Sequence, residues 1–270
     1  MMEVVLLGTG CPLPDANRAG PSTLVRMGGR PVLVDCGRGV LMRLTGAGVS
    51  PLQLDTILLT HLHSDHVQDL SDLITMRWAM SPTDEVLNVV GPPGTESFVG
   101  RTLAAMEDDI GFRIAHHADL TWRPRVEVTE VTEGPVLDGV TAALVDHGVV
   151  RPAIGYRFED GGTAVAIGGD SMPCDGLDTL CRDASVYVQT VLRRSLIEAV
   201  PSPRLQDVLD YHSSTEDAGR TAARNGVRTL ALTHMIPSPR PGTEHEWGEE
   251  AARHFAGEVL VGTDLMSVST

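Results

Sequence analysis

The apolar run Thr56-Ile57-Leu58-Leu59-Thr60 leads directly into His61-Leu62-His63-Ser64-Asp65-His66, and this junction constrains the chain more than any other stretch. The run has the length and composition of a buried strand. The segment after it packs four potential metal ligands, His61, His63, Asp65 and His66, into one loop. Neutral imidazole and carboxylate suit zinc and its first-row neighbours, and ligands in a loop can turn towards two different ions. A strand end gives such a loop a rigid base.

Around this junction, short apolar runs alternate with helical patterns over the whole length, which argues an α/β chain. The early strand candidates, Val4–Leu7, Thr23–Met27 and Pro31–Val34, follow one another through hairpin-length loops such as Gly28-Gly29-Arg30. The later ones, including Val126–Val131, Val140–Val145, Thr163–Ile167, Val186–Gln189, Thr229–Leu232 and Val259–Val261, are spaced more widely, several by helices. Helices are predicted over Val67–Met80, Thr95–Asp109, Thr215–Asn225 with Ser214 as N-cap, and Glu244–Phe255 behind a Thr243 capping box. The order suits two mixed sheets packed together with helices outside. No repeat or linker divides the chain, so one domain over 1–270 is expected.

Composition then excludes several classes. The chain carries 36 acidic against 21 basic residues, a formal charge of −15. That opposes broad electrostatic attachment to nucleic acid, which needs clustered Lys and Arg. It does not exclude a phosphate-containing substrate, because bound divalent cations would dominate the local field. No apolar run approaches the roughly 18 residues of a membrane span. The four cysteines, Cys11, Cys36, Cys174 and Cys181, lack paired metal spacing. The N-terminal stretch Met1–Leu7 lacks the pattern of a secretory leader, so a cytoplasmic protein with reduced thiols is expected.

Three further ligand candidates sit just past predicted strands: His147 after Ala142–Asp146, Asp170 after Ala164–Gly169, and His234 after Thr229–Thr233. Strand ends of a layered α/β fold gather on one rim, which would bring these groups to the His61–His66 loop. Asp35 and Asp69 are candidate acceptors for the second ring nitrogen of ligand histidines; a strand-end turn and a solvated helix position are their alternatives. Gly8-Thr9-Gly10 lacks the third glycine and following helix of a dinucleotide site and reads as a tight turn. His116, His117, His245 and His254 are expected to face solvent, and Ser171 has no base placed to make it a nucleophile.

The ordered set His61-x-His63-x-Asp65-His66, His147, Asp170, His234 resembles the signature of the metallo-β-lactamase superfamily over nearly the whole chain. Leu7–Gly10, Arg18–Ser22, Val34–Gly37, Gly91–Thr95, Gly155–Arg157, Gly169-Asp170 and His212–Ser214 resemble its ribonuclease Z and phosphodiesterase branch, which also holds zinc-dependent alkyl- and arylsulfatases. The resemblance implies an αββα sandwich and two zinc ions, with manganese or iron as alternatives. One ion would take His61, His63 and His147, the other Asp65, His66 and His234, and Asp170 would bridge them with a hydroxide. Two ions roughly 3.5–4 Å apart suit an in-line displacement at phosphorus. Asp65 could also orient the hydroxide and accept its proton. His212 is similar to a family histidine that contacts the scissile phosphate, and Ser213 and Ser214 would offer donors beside it.

Two departures bear on the substrate. Between His147 and Asp170 there is room for two strands and a Gly161-Gly162 turn, but not for the extended basic arm with which long-arm ribonuclease Z enzymes grip tRNA. At Ser185–Val191, Gln189 and Thr190 stand where tRNA-processing members carry a His-Glu-Ala-Thr motif. The expectation is therefore a binuclear hydrolase of phosphodiesters, small or RNA, homodimeric by resemblance and with no membrane partner. Its alternatives are a sulfatase, a genuine tRNA 3′-end endoribonuclease and a non-catalytic metal-sensing protein.

Overall fold

The computed structural model describes residues 2–270, so Met1 of the N-terminal stretch lies outside the described residues. Two seven-stranded sheets carry the architecture. The first contains β1 (Glu3–Gly8), β2 (Ser22–Met27), β3 (Arg30–Val34), β4 (Thr56–Leu58), β5 (Val86–Gly91) and β6 (Arg125–Glu130). The second contains β7 (Gly134–Leu137), β8 (Val140–His147), β9 (Val150–Asp160), β10 (Thr163–Ile167), β11 (Val186–Leu192), β12 (Thr229–Ile236) and β13 (Glu258–Val261). The last strand, β14 (Met266–Ser269), returns to the first sheet beside β1.

Both faces of each sheet are covered, and the strands show it. In β1, Val4 and Leu6 enter the core between the sheets, with Val25, Val34 and Leu58, against Tyr156, Phe158, Val165 and Val188 of the second sheet. Val5 and Leu7, on the opposite face, pack with Leu24, Leu33 and Ile57. There they meet α1 (Val40–Gly46), α3 (Leu70–Met80) and α4 (Thr95–Ala105) through Leu44, Leu73 and Val99; between α1 and α3 lies the short α2 (Ser64–Val67). Tyr187 and Leu230 of the second sheet pack on α6 (Asp175–Cys181), α9 (Thr215–Arg224) and α10 (Glu244–Ala252) through Leu180, Ala222 and Trp247. The remaining helices are α5 (Glu107–His116), α7 (Arg194–Glu198) and α8 (Pro203–Gln206). Strands buried on two faces read as continuous apolar runs, which is why they were visible in the sequence. The four layers are the expected αββα sandwich.

Strand direction, more than layering, places the candidate ligands. β3, β4, β5 and β6 are parallel, with Val34 opposite Leu58. β10, β11 and β12 are parallel as well. β8 is antiparallel to β9, which is antiparallel to β10, so β8 and β10 run the same way. The C-terminal ends of β4, β8, β10 and β12, where the candidate ligands lie, therefore point along their sheets to one rim.

Several local expectations needed correction. The helix predicted over Val67–Met80 is broken into α2 and α3, because Asp69 leaves helical geometry and its N–H donates to the Cys36 carbonyl at 3.0 Å. The helix predicted from Thr95 ends at Ala105, and α5 restarts after Met106. No capping box forms at Thr243, whose hydroxyl donates instead to the Arg240 carbonyl. Ser214 does cap α9, in a reciprocal box with Asp217. β7 and β14, four residues each, were not among the predicted strands. The β2–β3 hairpin turns on Gly28 and Gly29, both at positive φ, as a two-residue turn of the right twist requires.

Candidate metal centre

Thr60 anchors the metal-binding loop. Its N–H and hydroxyl both donate to Asp35, each at 2.8 Å, and its carbonyl accepts from Ile154 N at 2.9 Å. Parallel pairing of β3 with β4 places Asp35 there, in the left-handed region at φ 61°. Tyr156 donates its buried hydroxyl to the Leu59 carbonyl at 2.8 Å, fixing the residue before. The Gly168–Asp170 turn crosses so close to Thr60 that a Cβ on Gly169 would sit 3.0 Å from the Thr60 side chain, and Gly169 has φ +60°.

These anchors set the histidine tautomers. The Thr60 hydroxyl proton goes to Asp35, so its oxygen accepts from His61 Nδ1 at 3.0 Å. His66 Nδ1 donates to Asp35 Oδ2 at 2.8 Å, and His147 Nδ1 to the Tyr211 carbonyl at 2.9 Å. With Nδ1 engaged on all three rings, each Nε2 keeps a lone pair for a metal, the arrangement in which outer partners orient ligands. Asp69, by contrast, reaches no ligand. Its carboxylate accepts from Gly39 N at 2.6 Å, at the start of α1.

The side chains converge in two groups: His61, His63, His147 and Asp170, and Asp65, His66 and His234, with the ligand atoms inside each group within 4.8 Å of one another. Asp170 Oδ2 lies between them, 3.9 Å from His61 Nε2, 3.4 Å from His66 Nε2 and 3.5 Å from His234 Nε2. His234, in the left-handed region within β12, also faces Asp65 Oδ2 at 3.1 Å. His61 Nε2 and His66 Nε2 are buried with no hydrogen-bond partner. Orphaned acceptors facing a buried carboxylate are costly unless a cation fills the gap, and this donor set fits a divalent metal.

Electrostatics agree with that fit. Burial pushes His61 well below the usual imidazole range and His147 down to about 4, leaving both in the neutral form that ligates metals. Burial would raise Asp170, but the imidazoles of His234 and His66 reverse this and hold it well below the carboxylate range. His66 is the exception: burial lowers it, yet Asp170 and Asp35 together raise it well above 6.5.

His212 lies at this centre, with Nε2 3.2 Å from Asp170 Oδ2 and Nδ1 3.1 Å from the Val208 carbonyl. Ser213 and Ser214 are already committed: the Ser213 hydroxyl and N–H donate to the Ser171 carbonyl, and those of Ser214 to Asp217. In this conformation they hold His212 in place and offer no free donor to a substrate. Sequence reasoning missed Thr60, and it treated Thr190 only as a departure. The Thr190 hydroxyl donates to Asp170 Oδ1 at 2.8 Å, so it orients the central carboxylate. Its neighbour Gln189 is fully buried and accepts from the Tyr187 hydroxyl at 2.8 Å. The Tyr211 and Val208 carbonyls carry no side-chain signal at all. His116, His117 and His245 are exposed, as expected, whereas His254 is half-buried beside Arg220.

Comparison with known proteins places this geometry. The Beta-lactamase superfamily domain matches residues 30–235. The chain is 52% identical over 274 residues to a protein named ribonuclease Z from Mycobacterium avium (strain 104), covering 99% of this chain and 98% of that one. It is 49% identical to one so named from Mycobacterium bovis (strain BCG / Pasteur 1173P2), with the same coverage. Among solved structures it is similar to the metallo-β-lactamase fold protein YhfI from Bacillus subtilis, with a TM-score of 0.75 at 24% identity over 99% of this chain and 98% of that one. It is also similar to the short form of human tRNase Z, with a TM-score of 0.73 at 22% identity and the same coverage.

Proposed function

Since the chain belongs to the ribonuclease Z family of the β-lactamase superfamily and is a metal-dependent hydrolase, we propose that it is a binuclear zinc enzyme cleaving phosphodiester bonds in RNA. His61, His63 and His147 would hold one ion and Asp65, His66 and His234 the other, with Asp170 shared. Two such ions would polarise a phosphoryl oxygen and bring the pKa of a bound water towards neutrality. Asp65, placed between the ligand histidines, takes the proton of the attacking water. His212 hydrogen-bonds a phosphoryl oxygen or protonates the leaving oxygen, a role open to a histidine held by the Val208 carbonyl.

The observation that carries this reading is the position of Asp170 Oδ2 between the two ligand groups, with His212 Nε2 at 3.2 Å. A site that merely sensed metal would have no use for a further imidazole there. Between His147 and Asp170 the chain forms only the β9–β10 hairpin, with no arm. The Mycobacterium avium relative aligns over 98% of its own length, which leaves it no room for a long insertion either. The missing arm therefore does not remove RNA from the substrate class.

We further propose one domain over residues 2–270, a cytoplasmic location and a homodimer. All four cysteines are free, and no helix among the described residues is long and apolar enough to cross a membrane. The deciding experiment is metal analysis followed by kcat/KM on precursor tRNA, single-stranded RNA, an aryl phosphodiester, an aryl sulfate, a β-lactam and a thioester. RNA should be cut with zinc bound. A preference for the sulfate ester would transfer the same ligands to a sulfatase.

A further inference from the structure

Two spaces adjoin the metal centre. The outer one, of about 270 Å³, lies over His63, Asp170 and His212 and serves the reaction proposed above. The inner one, of about 20 Å³, lies on the core side of the centre, between the two sheets, and no step described above uses it. Ser22 and Thr23 of β2 and Asp35 beyond β3 wall it from the first sheet, Thr190 of β11 and Thr233 of β12 from the second, and every residue around it is buried. Val34, Ile167 and Val188, which line it as well, belong to the core between the sheets.

The Ser22 hydroxyl points to what this space takes. Ser22 is 4% exposed, and its Oγ is buried with no hydrogen-bond partner among the described residues. Native structures pair nearly every such group, with protein or with ordered water. Two neighbours on the same wall have hydrogen-bonding capacity left. Asp35 Oδ2 accepts both the Thr60 hydroxyl and His66 Nδ1, whereas Oδ1 accepts the Thr60 N–H and retains a lone pair. Thr190 gives its proton to Asp170 Oδ1, so its own oxygen can still accept. One donor and two acceptors around a small polar space match a water molecule, which would accept from Ser22 and donate to Asp35 Oδ1 and Thr190 Oγ1. Three hydrogen bonds are usual for a buried water, and the volume exceeds the ~10–15 Å³ that one needs.

We propose that this cavity is the site of a single ordered water held by Ser22, Asp35 and Thr190, and that Ser22 is thereby a positioning residue for both metal-ligand groups. Asp35 orients His66 directly and His61 through Thr60, and Thr190 orients Asp170. These two holders stand on different sheets, and the water joins them across the space between. Their ligands then keep a common register although the sheets pack only through apolar side chains there. The water site rests on packing and hydrogen-bond capacity alone; its effect on zinc rests on the metal reading above.

The test uses the full-length, zinc-loaded protein. A high-resolution crystal structure should show a water within about 3.2 Å of Ser22 Oγ, Asp35 Oδ1 and Thr190 Oγ1; no density there, with other interior waters ordered, would overturn the site. Ser22→Ala takes away the donor and leaves the water two partners. Its urea midpoint should fall, and in chelator competition its zinc affinity should drop about three- to tenfold, short of the roughly 10- to 100-fold of a direct partner to a ligand histidine. Without a water the same substitution removes only an unpaired hydroxyl, so an unchanged or raised midpoint would overturn the proposal. A lower midpoint with wild-type zinc affinity would overturn the positioning role of Ser22. A wild-type protein that binds no zinc would overturn the metal reading instead, and the water in its crystals would still decide this one.

Discussion

Asp35 Oδ2 lies 2.8 Å from His66 Nδ1, and the same oxygen accepts the Thr60 hydroxyl at 2.8 Å. Through this one carboxylate, buried at 5% exposure, the ring orientation of His66 is fixed directly and that of His61 through Thr60. Asp35→Asn keeps the shape but turns one acceptor into a donor facing His66. Metal affinity should fall about 10- to 100-fold, as for other outer partners of metal-bound histidines. Competition with a chelator measures it, and wild-type affinity would mean that Asp35 only holds the turn.

Chelation should abolish hydrolysis, and about two metal ions per chain should restore it, because the water nucleophile needs them. The metal-free protein should also melt at a lower temperature, since binding to the native state alone stabilises it. Full turnover at negligible metal content would remove the mechanism.

Asp65, inside α2, and Asp69, just after it, should separate cleanly. Asp65→Ala removes a ligand and the proposed base, so activity and metal content should both collapse. Asp69→Ala removes a carboxylate from the first N–H groups of α1 and should cost about 1 kcal/mol of stability with activity retained. Equal activities in the two variants would contradict this assignment.

His212→Ala should lower kcat by about 10²–10⁴-fold with metal content unchanged, if the ring donates to the leaving oxygen or to phosphoryl oxygen. Loss of metal together with activity would make it a ligand or a structural prop.

Away from the centre, Asp178 gives a pH signature. Burial would raise its carboxyl, but hydrogen bonds from Arg224 and Asn225 outweigh burial and lower it. A depressed folded pKa stabilises above the unfolded value of about 3.9, and the contribution fades as pH falls through the lower folded value. Asp178→Asn should therefore unfold at lower urea than wild type at pH 7, and the gap should narrow towards pH 3. A gap that persists there would assign the effect to hydrogen bonding alone.

What the sequence determined by itself was local or periodic. The ligand types and their spacing in His61–His66, the continuous apolar strands β1, β11 and β12, and the Ser214 cap all depend on neighbouring residues, and each was legible before any coordinates. Tertiary structure decided what lies between distant segments. Asp35 and Asp69 were equal candidates in the sequence; parallel pairing of β3 with β4 sends one to His66, and the break before α3 turns the other to α1. The partners of His147 and His212 are the carbonyls of Tyr211 and Val208. Every residue has a carbonyl, so its use as a partner leaves no trace in residue type. The cavity over the metal centre was equally hidden, since its walls combine residues 11–13, His63, Asp170, several residues between 197 and 212, and residues 236–237, which only the packing of strand ends on one rim brings together.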